Sequence, residues 1–210
     1  MTLVFAFVLA LPVAAQQSPN AETLWEMMVK GNSTYMSGKI SFDELVKERK
    51  AGVDGQAPPV IVLACSDSRV PPELVFNQSI GALFVVRTAG NTADEFGLAS
   101  IEYAVSHTDP QWGTLIVVLG HEKCGAVVEA MKFDDPGTPP LVALVDRIRR
   151  SFVMGQTTLP EAIKANARAS AAWLTAESPI VRRAVMDGKV KIIPAYYEMK
   201  SGKVREIECK

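Results

Sequence analysis

Four short apolar runs constrain this chain more than any other feature: Val60-Ile61-Val62-Leu63-Ala64, Ala82-Leu83-Phe84-Val85-Val86, Thr114-Leu115-Ile116-Val117-Val118-Leu119, and Val190 to Ala195. None alternates polar with apolar residues, as a strand with one wet face would. Unbroken β-branched runs of this length suit strands buried on both faces. Helical stretches separate them: Ala93 to Ser106, with Phe96, Ile101, Tyr103 and Val105 in helical spacing, then Ala126 to Lys132, Leu141 to Phe152, Pro160 to Thr175 and Pro179 to Met186. Pro160 and Pro179 suit first-turn positions. Strands alternating with helices predict an α/β fold around a mostly parallel sheet of four strands. Val204 to Ile207, reached through the turn Lys200-Ser201-Gly202-Lys203, is expected to add a fifth strand at the edge.

Upstream of the first strand the pattern is helical. Asn20 can cap a helix from Ala21 to Lys30, stopped by Gly31. Ser41-Phe42-Asp43-Glu44 reads as a capping box opening a second helix that ends near Ala51-Gly52. These form an N-terminal helical arm, Ala21 to Ala51. Phe133 to Pro140 is the most linker-like segment and is too short to separate domains.

At 210 residues, with 48% hydrophobic and 21% charged side chains, the chain can bury one proper core. Its net charge of −1 gives no basic field for nucleic acid. Leu3 to Leu11 is an unbroken apolar run followed by the small residues Val13 and Ala15. Nine apolar residues fall short of the about 20 that span a bilayer. They suit a secretion signal over residues 1–15, although no Lys or Arg precedes the run. The alternative is a buried N-terminal strand or helix. Export predicts a periplasmic or secreted protein of one domain, residues 16–210, with no membrane span in the mature chain.

The chain has three cysteines and two histidines. Two of those cysteines and one histidine fall in Cys65-Ser66-Asp67-Ser68-Arg69 and Gly120-His121-Glu122-Lys123-Cys124-Gly125. Each cluster directly follows an apolar run, and ligands bind open α/β sheets outside the carboxyl ends of the strands. Cys65, His121 and Cys124 offer two thiolates and an imidazole, a set that suits zinc with one position left open. Catalytic zinc sites keep three protein ligands and give the fourth position to water. The start of a helix at Cys124 favours its thiolate. A Cys65–Cys124 disulfide is the plain alternative in an oxidising compartment, but it leaves His121 and Asp67 without a reason.

Asp67 and Arg69 stand two and four residues past Cys65. Asp67 can bind the metal as a fourth ligand. It can instead be held off by Arg69 in a two-pronged ion pair, ionised and acceptor-only beside a metal-held water. An ordinary loop ion pair is the alternative without function.

Cys65-Ser66-Asp67-Ser68-Arg69-Val70-Pro71-Pro72-Glu73, with His121-x-x-Cys124-Gly125, resembles the β-class carbonic anhydrases. The likeness spans roughly Gln56 to Glu208 and includes Phe84-Val85-Val86-Arg87 and Ile101-Glu102-Tyr103-Ala104-Val105. The resemblance implies reversible hydration of carbon dioxide to bicarbonate and a proton, on one zinc per chain held by Cys65, His121 and Cys124, with Asp67 and Arg69 orienting zinc-bound hydroxide. It implies substrate contacts from Gln56, Phe84, Ala89, Tyr103 and the Gly125 N–H, and a homodimer or homotetramer built through the N-terminal helices and the sheet edge. Val62 replaces the tryptophan of bicarbonate-regulated members, which implies an open, unregulated site. Arg87-Thr88 stands where Arg-Asn is usual, and Ala126 where a second glycine is usual. Relatives that hydrolyse carbonyl sulfide or carbon disulfide make those substrates an alternative, and a non-catalytic zinc module is another. His107 reads as a helix cap or surface residue, and Cys209 as an idle or intermolecularly paired thiol.

Overall fold

Strands with no polar position on either face have to be covered on both, and that requirement builds the molecule. The computed structural model describes residues 20–41, 43–107, 114–132 and 134–208. The expected export segment, Phe42 and Cys209 lie outside the described residues. The strands are β1 (Val60–Cys65), β2 (Leu83–Thr88), β3 (Leu115–His121), β4 (Lys191–Glu198) and β5 (Lys203–Glu206). They form one sheet in the order β2-β1-β3-β4-β5, with β5 antiparallel to β4 and the other pairs parallel.

Alternate residues of the central strands feed two cores. Val60, Val62, Ala64, Leu115, Val117 and Leu119 face α1 (Ala21–Met36) and the short α3 (Pro72–Val75). Ile61, Leu63, Ile116 and Val118 face α4 (Glu95–Ser106), α7 (Leu159–Glu177) and α8 (Pro179–Met186). Cys65 and Cys124 belong to a third cluster, with Val127, Val145, Ile148 and Ile163 from α5 (Gly125–Ala130), α6 (Pro139–Arg149) and α7.

Several expected boundaries move, each for a local reason. Asn20 caps α1, its Oδ1 accepting from the Thr23 N–H at 2.9 Å. Gly31 does not stop that helix. It lies inside it, where a Cβ would come within 1.9 Å of the Phe76 carbonyl oxygen. Its lack of a side chain serves close packing of α1 on the turn after α3. The expected capping box does not form: Ser41 hydrogen-bonds the Asp43 carboxylate, and α2 (Leu45–Ala51) starts later with no side-chain cap. β3 and β4 run two and three residues past their apolar stretches, because Gly120 and His121 still pair with Tyr196 and Tyr197. α4 buries Gly97, Ile101 and Ala104, whereas Phe96 (80% exposed) and Tyr103 (55%) share a stripe turned away from the core. Among the described residues, no helix is long and apolar enough to cross a membrane.

Candidate metal centre

β1 and β3 are parallel neighbours with Ala64 opposite Leu119, so their carboxyl ends emerge side by side. Cys65 ends β1 and His121 ends β3. Glu122 and Lys123 then reverse the chain, Lys123 in the left-handed region at φ +56°, and Cys124 becomes the residue just before α5. The His-x-x-Cys spacing is thus a strand-to-helix turn that folds the second thiol back over the strand ends.

One ligand atom from each of Cys65, His121 and Cys124 lies within 4.8 Å of the others, and all three residues are buried. The two sulfurs are 4.0 Å apart. That separation is about twice a disulfide bond, both thiols are free, and the disulfide alternative is not realised. Two thiolates on a tetrahedral zinc would stand roughly 3.8 Å apart, from Zn–S bonds of about 2.3 Å. His121 Nδ1 lies 3.0 Å from the Glu122 carbonyl oxygen. A carbonyl only accepts, so Nδ1 carries the proton and the Nε2 lone pair points to the thiols. That Nε2 is buried with no protein partner among the described residues. A buried imidazole nitrogen left bare between two sulfurs fits a metal ion.

The thiol pair is electrostatically unequal. Cys65 is pushed down, first by the hydrogen bond from Cys124 and then, against its burial, by the backbone N–H groups of Asp67 and Gly90. Cys124 is pushed up, first by that same bond to Cys65 and then by burial. The geometry of the pair is one proton shared between two sulfurs 4.0 Å apart. A dication would release that proton.

Asp67 folds back onto Arg69. Its Oδ1 accepts from Arg69 Nε at 2.9 Å and from the Arg69 backbone N–H at 2.9 Å, and its Oδ2 accepts from an Arg69 terminal nitrogen at 2.7 Å. These bonds, the guanidinium's first, hold the carboxyl well below the usual carboxylate range despite its partial burial. Oδ2 also lies 3.9 Å from His121 Nε2, so the clamped carboxylate stands at the edge of the ligand cluster. Arg87 braces the loop from β2: its Nε donates to the Cys65 carbonyl at 3.0 Å, and a terminal nitrogen donates to the Asp67 carbonyl at 2.5 Å. Behind the sulfurs, the Gly90 N–H points at Cys65 Sγ at 3.3 Å, and Asn166 donates to the Gly90 carbonyl at 2.7 Å.

In sequence Arg87 is only a position that matches the family, and Gly90 and Asn166 belong to no motif. A signal for Asn166 was available: with Ile163, Ala167, Ser170 and Leu174 it lies on the buried stripe of α7, where a polar amide needs a partner.

The expected substrate contacts divide into two groups. Ala89 adjoins Gly90 at the end of β2, and Gly125 opens α5 directly after Cys124, exposed and with open space at its Cβ position. Gln56, Phe84 and Tyr103 are not brought to the metal cluster of their own chain. Phe84 pairs with Ile61, four residues before the Cys65–Thr88 pair, or about 13 Å along the strand at about 3.3 Å per residue. Tyr103, on α4, has its ring 6.4 Å from that of Phe84. Gln56 is exposed in the loop entering β1, at the opposite end of the sheet from Cys65. His107 follows α4, its ring edge-on to Tyr103 at 4.4 Å and its Nδ1 2.8 Å from the Tyr103 carbonyl, an end-of-helix role.

The family model for carbonic anhydrase matches residues 60–204, more than half of the chain. Carbonic anhydrase 2 of Mycobacterium tuberculosis (strain CDC 1551 / Oshkosh) is 32% identical over 192 residues, covering 88% of this chain and 91% of that protein. The carbonic anhydrase of Mycolicibacterium smegmatis is 32% identical over 193 residues, covering 88% and 92%. Among solved structures, the Coccomyxa β-carbonic anhydrase in complex with acetazolamide superposes with a TM-score of 0.65 at 26% identity, covering 89% of this chain and 82% of that one. One of two tetrameric β-carbonic anhydrases from Sordaria macrospora gives 0.67 at 22% identity, covering 89% and 98%, a likeness of fold.

Proposed function

Because this chain belongs to the β-class carbonic anhydrase family, we propose that it reversibly hydrates carbon dioxide to bicarbonate and a proton at a zinc ion held by Cys65, His121 and Cys124. Zinc in such a site is a Lewis acid that lowers the pKa of a water molecule from 15.7 toward about 7. The chain's own residues supply the rest. Two thiolates and a neutral imidazole bring the first shell to zero charge. The His121 ring is held by the Glu122 carbonyl in the tautomer that leaves Nε2 free to bind.

The observation that carries the reading is the state of Asp67. Both its oxygens are committed to Arg69, yet Oδ2 stays 3.9 Å from His121 Nε2. A carboxylate so placed would accept a hydrogen bond from a metal-held water and hold it in one orientation. Held ionised by the guanidinium, it does not titrate near neutrality. A purely structural zinc site has no use for an acceptor at its edge, which weighs against a non-catalytic module. On this reading Ala89 and the Gly125 N–H are the substrate contacts that come from the same chain.

The reading includes a homodimer or homotetramer. Val46 on α2, Val53 in the loop after it, Ile80 in the turn before β2 and Phe96 on α4 are exposed apolar residues that a second copy would cover. Phe84 stands about 13 Å along the strand from its own Cys65, and on this reading Gln56, Phe84 and Tyr103 serve the site of a second copy. The reading also keeps residues 1–15 as an export signal ahead of one domain in a periplasmic or secreted protein. Bound zinc would then hold the two sulfurs as thiolates and shield them from oxidation.

Asp67→Ala tests the reading. Zinc content should match the parent, and stopped-flow carbon dioxide hydration should fall about a hundredfold or more, the range for a positioned proton-accepting group. Parental rates in the variant would remove the role assigned to Asp67.

A further inference from the structure

We propose that Asn166 is a positioning residue for the metal centre, acting through Gly90 on the sulfur of Cys65. The inference rests on the reading of Cys65, His121 and Cys124 as metal ligands. Asn166 itself contacts none of the three among the bonds described.

Three observations carry it. Asn166 is 2% exposed, and its Nδ2 donates to the Gly90 carbonyl at 2.7 Å across 76 residues of chain. The Gly90 N–H in turn donates to Cys65 Sγ at 3.3 Å. Gly90 takes φ +68° and ψ +22°, a left-handed conformation that L side chains rarely adopt. A Cβ there would meet Ile148 Cδ1 at 2.8 Å and Ala126 Cβ at 3.2 Å. The glycine is therefore walled by α5 and α6 on one side and tied by α7 on the other. Fixing its carbonyl fixes its rotation, and its N–H is left aimed at the sulfur.

An N–H aimed at a thiolate withdraws charge from it. The sulfur donates less to the metal, which stays more Lewis-acidic. Partners of this kind behind metal ligands typically cost about 10–100-fold in metal affinity when removed. A buried asparagine that merely satisfied a loop carbonyl would have no such effect at the metal.

The test uses the full chain loaded with Co²⁺, whose thiolate-to-metal charge-transfer absorption reports sulfur donation, together with zinc affinity by chelator competition. In Asn166→Leu, which keeps the volume and loses the donor, the band should move to longer wavelength and zinc affinity should drop about tenfold or more. Should that variant not fold, Asn166→Ser, too short to reach Gly90, is read in its place. Leu174→Ala, which loosens the same helix away from Gly90, should leave the band unmoved. With cadmium bound to the parent chain, the Gly90 amide proton should show scalar coupling to the metal across the hydrogen bond. A parental band position with zinc affinity within about twofold in the folded variant, or no Gly90 coupling, overturns the inference and leaves the proposed function standing. No thiolate band in the parent chain overturns the metal reading and this inference with it.

Discussion

Asp67 and Arg69 are two residues apart on one loop, and what either can do depends on the other. The guanidinium fork keeps the carboxyl ionised far below neutrality. A depressed folded-state pKa contributes stability that is present above the unfolded value of about 3.9 and is lost as pH falls through the folded value. Arg69 is more than half exposed, so that contribution is small, and the pair matters chiefly for its geometry. Carbon-detected NMR should find Asp67 ionised throughout pH 3 to 8. In Arg69→Ala its midpoint should rise toward about 3.9, and an unmoved midpoint would show that Arg69 is not what holds the carboxyl. The same variant should retain zinc and lose hydration about a hundredfold, read by stopped flow beside metal analysis. The residues that carry this chemistry were legible in the sequence because Cys65, Asp67, Arg69, His121 and Cys124 sit in two compact clusters. Arg87 and Gly90 were not, because their contacts join segments that only the folded chain brings together, and for Asn166 the stripe of α7 signals burial but not its partner.

At the scale of elements, the strands were readable because burial on both faces leaves unbroken apolar runs, and Val60 to Ala64 needs no tertiary knowledge to be placed. Their ends were not readable. His121 and Tyr197 extend β3 and β4 beyond the apolar stretch because their backbones pair with each other, and hydropathy is blind to such pairing. Gly31 shows the limit from the other side. In sequence it is a stop signal, whereas in the fold it lets α1 pass against the Phe76 carbonyl. Gly31→Ala should therefore destabilise the protein by about 1–3 kcal/mol, as overpacking does, rather than stabilise it as better helix propensity would. Urea unfolding checks the sign, and a raised midpoint would mean that α1 docks elsewhere.

For the whole molecule, a metal at this place would tie the end of β1 to the end of its neighbour β3 and to the start of α5, through Cys65, His121 and Cys124. A ligand that binds only the folded chain stabilises it by mass action. Chelation should lower the melting temperature, and Cys65→Ser should lose both the metal and its stabilising effect. A variant of unchanged melting temperature and full metal content would contradict that linkage. The proposed oligomer belongs to this scale as well, since Phe84 lies about 13 Å along the strand from its own Cys65. The central claim is tested most directly by carbon dioxide hydration and zinc content measured on one sample of the purified protein. We predict about one zinc per chain together with hydration that disappears on chelation and returns with zinc. One zinc per chain without hydration would contradict the account.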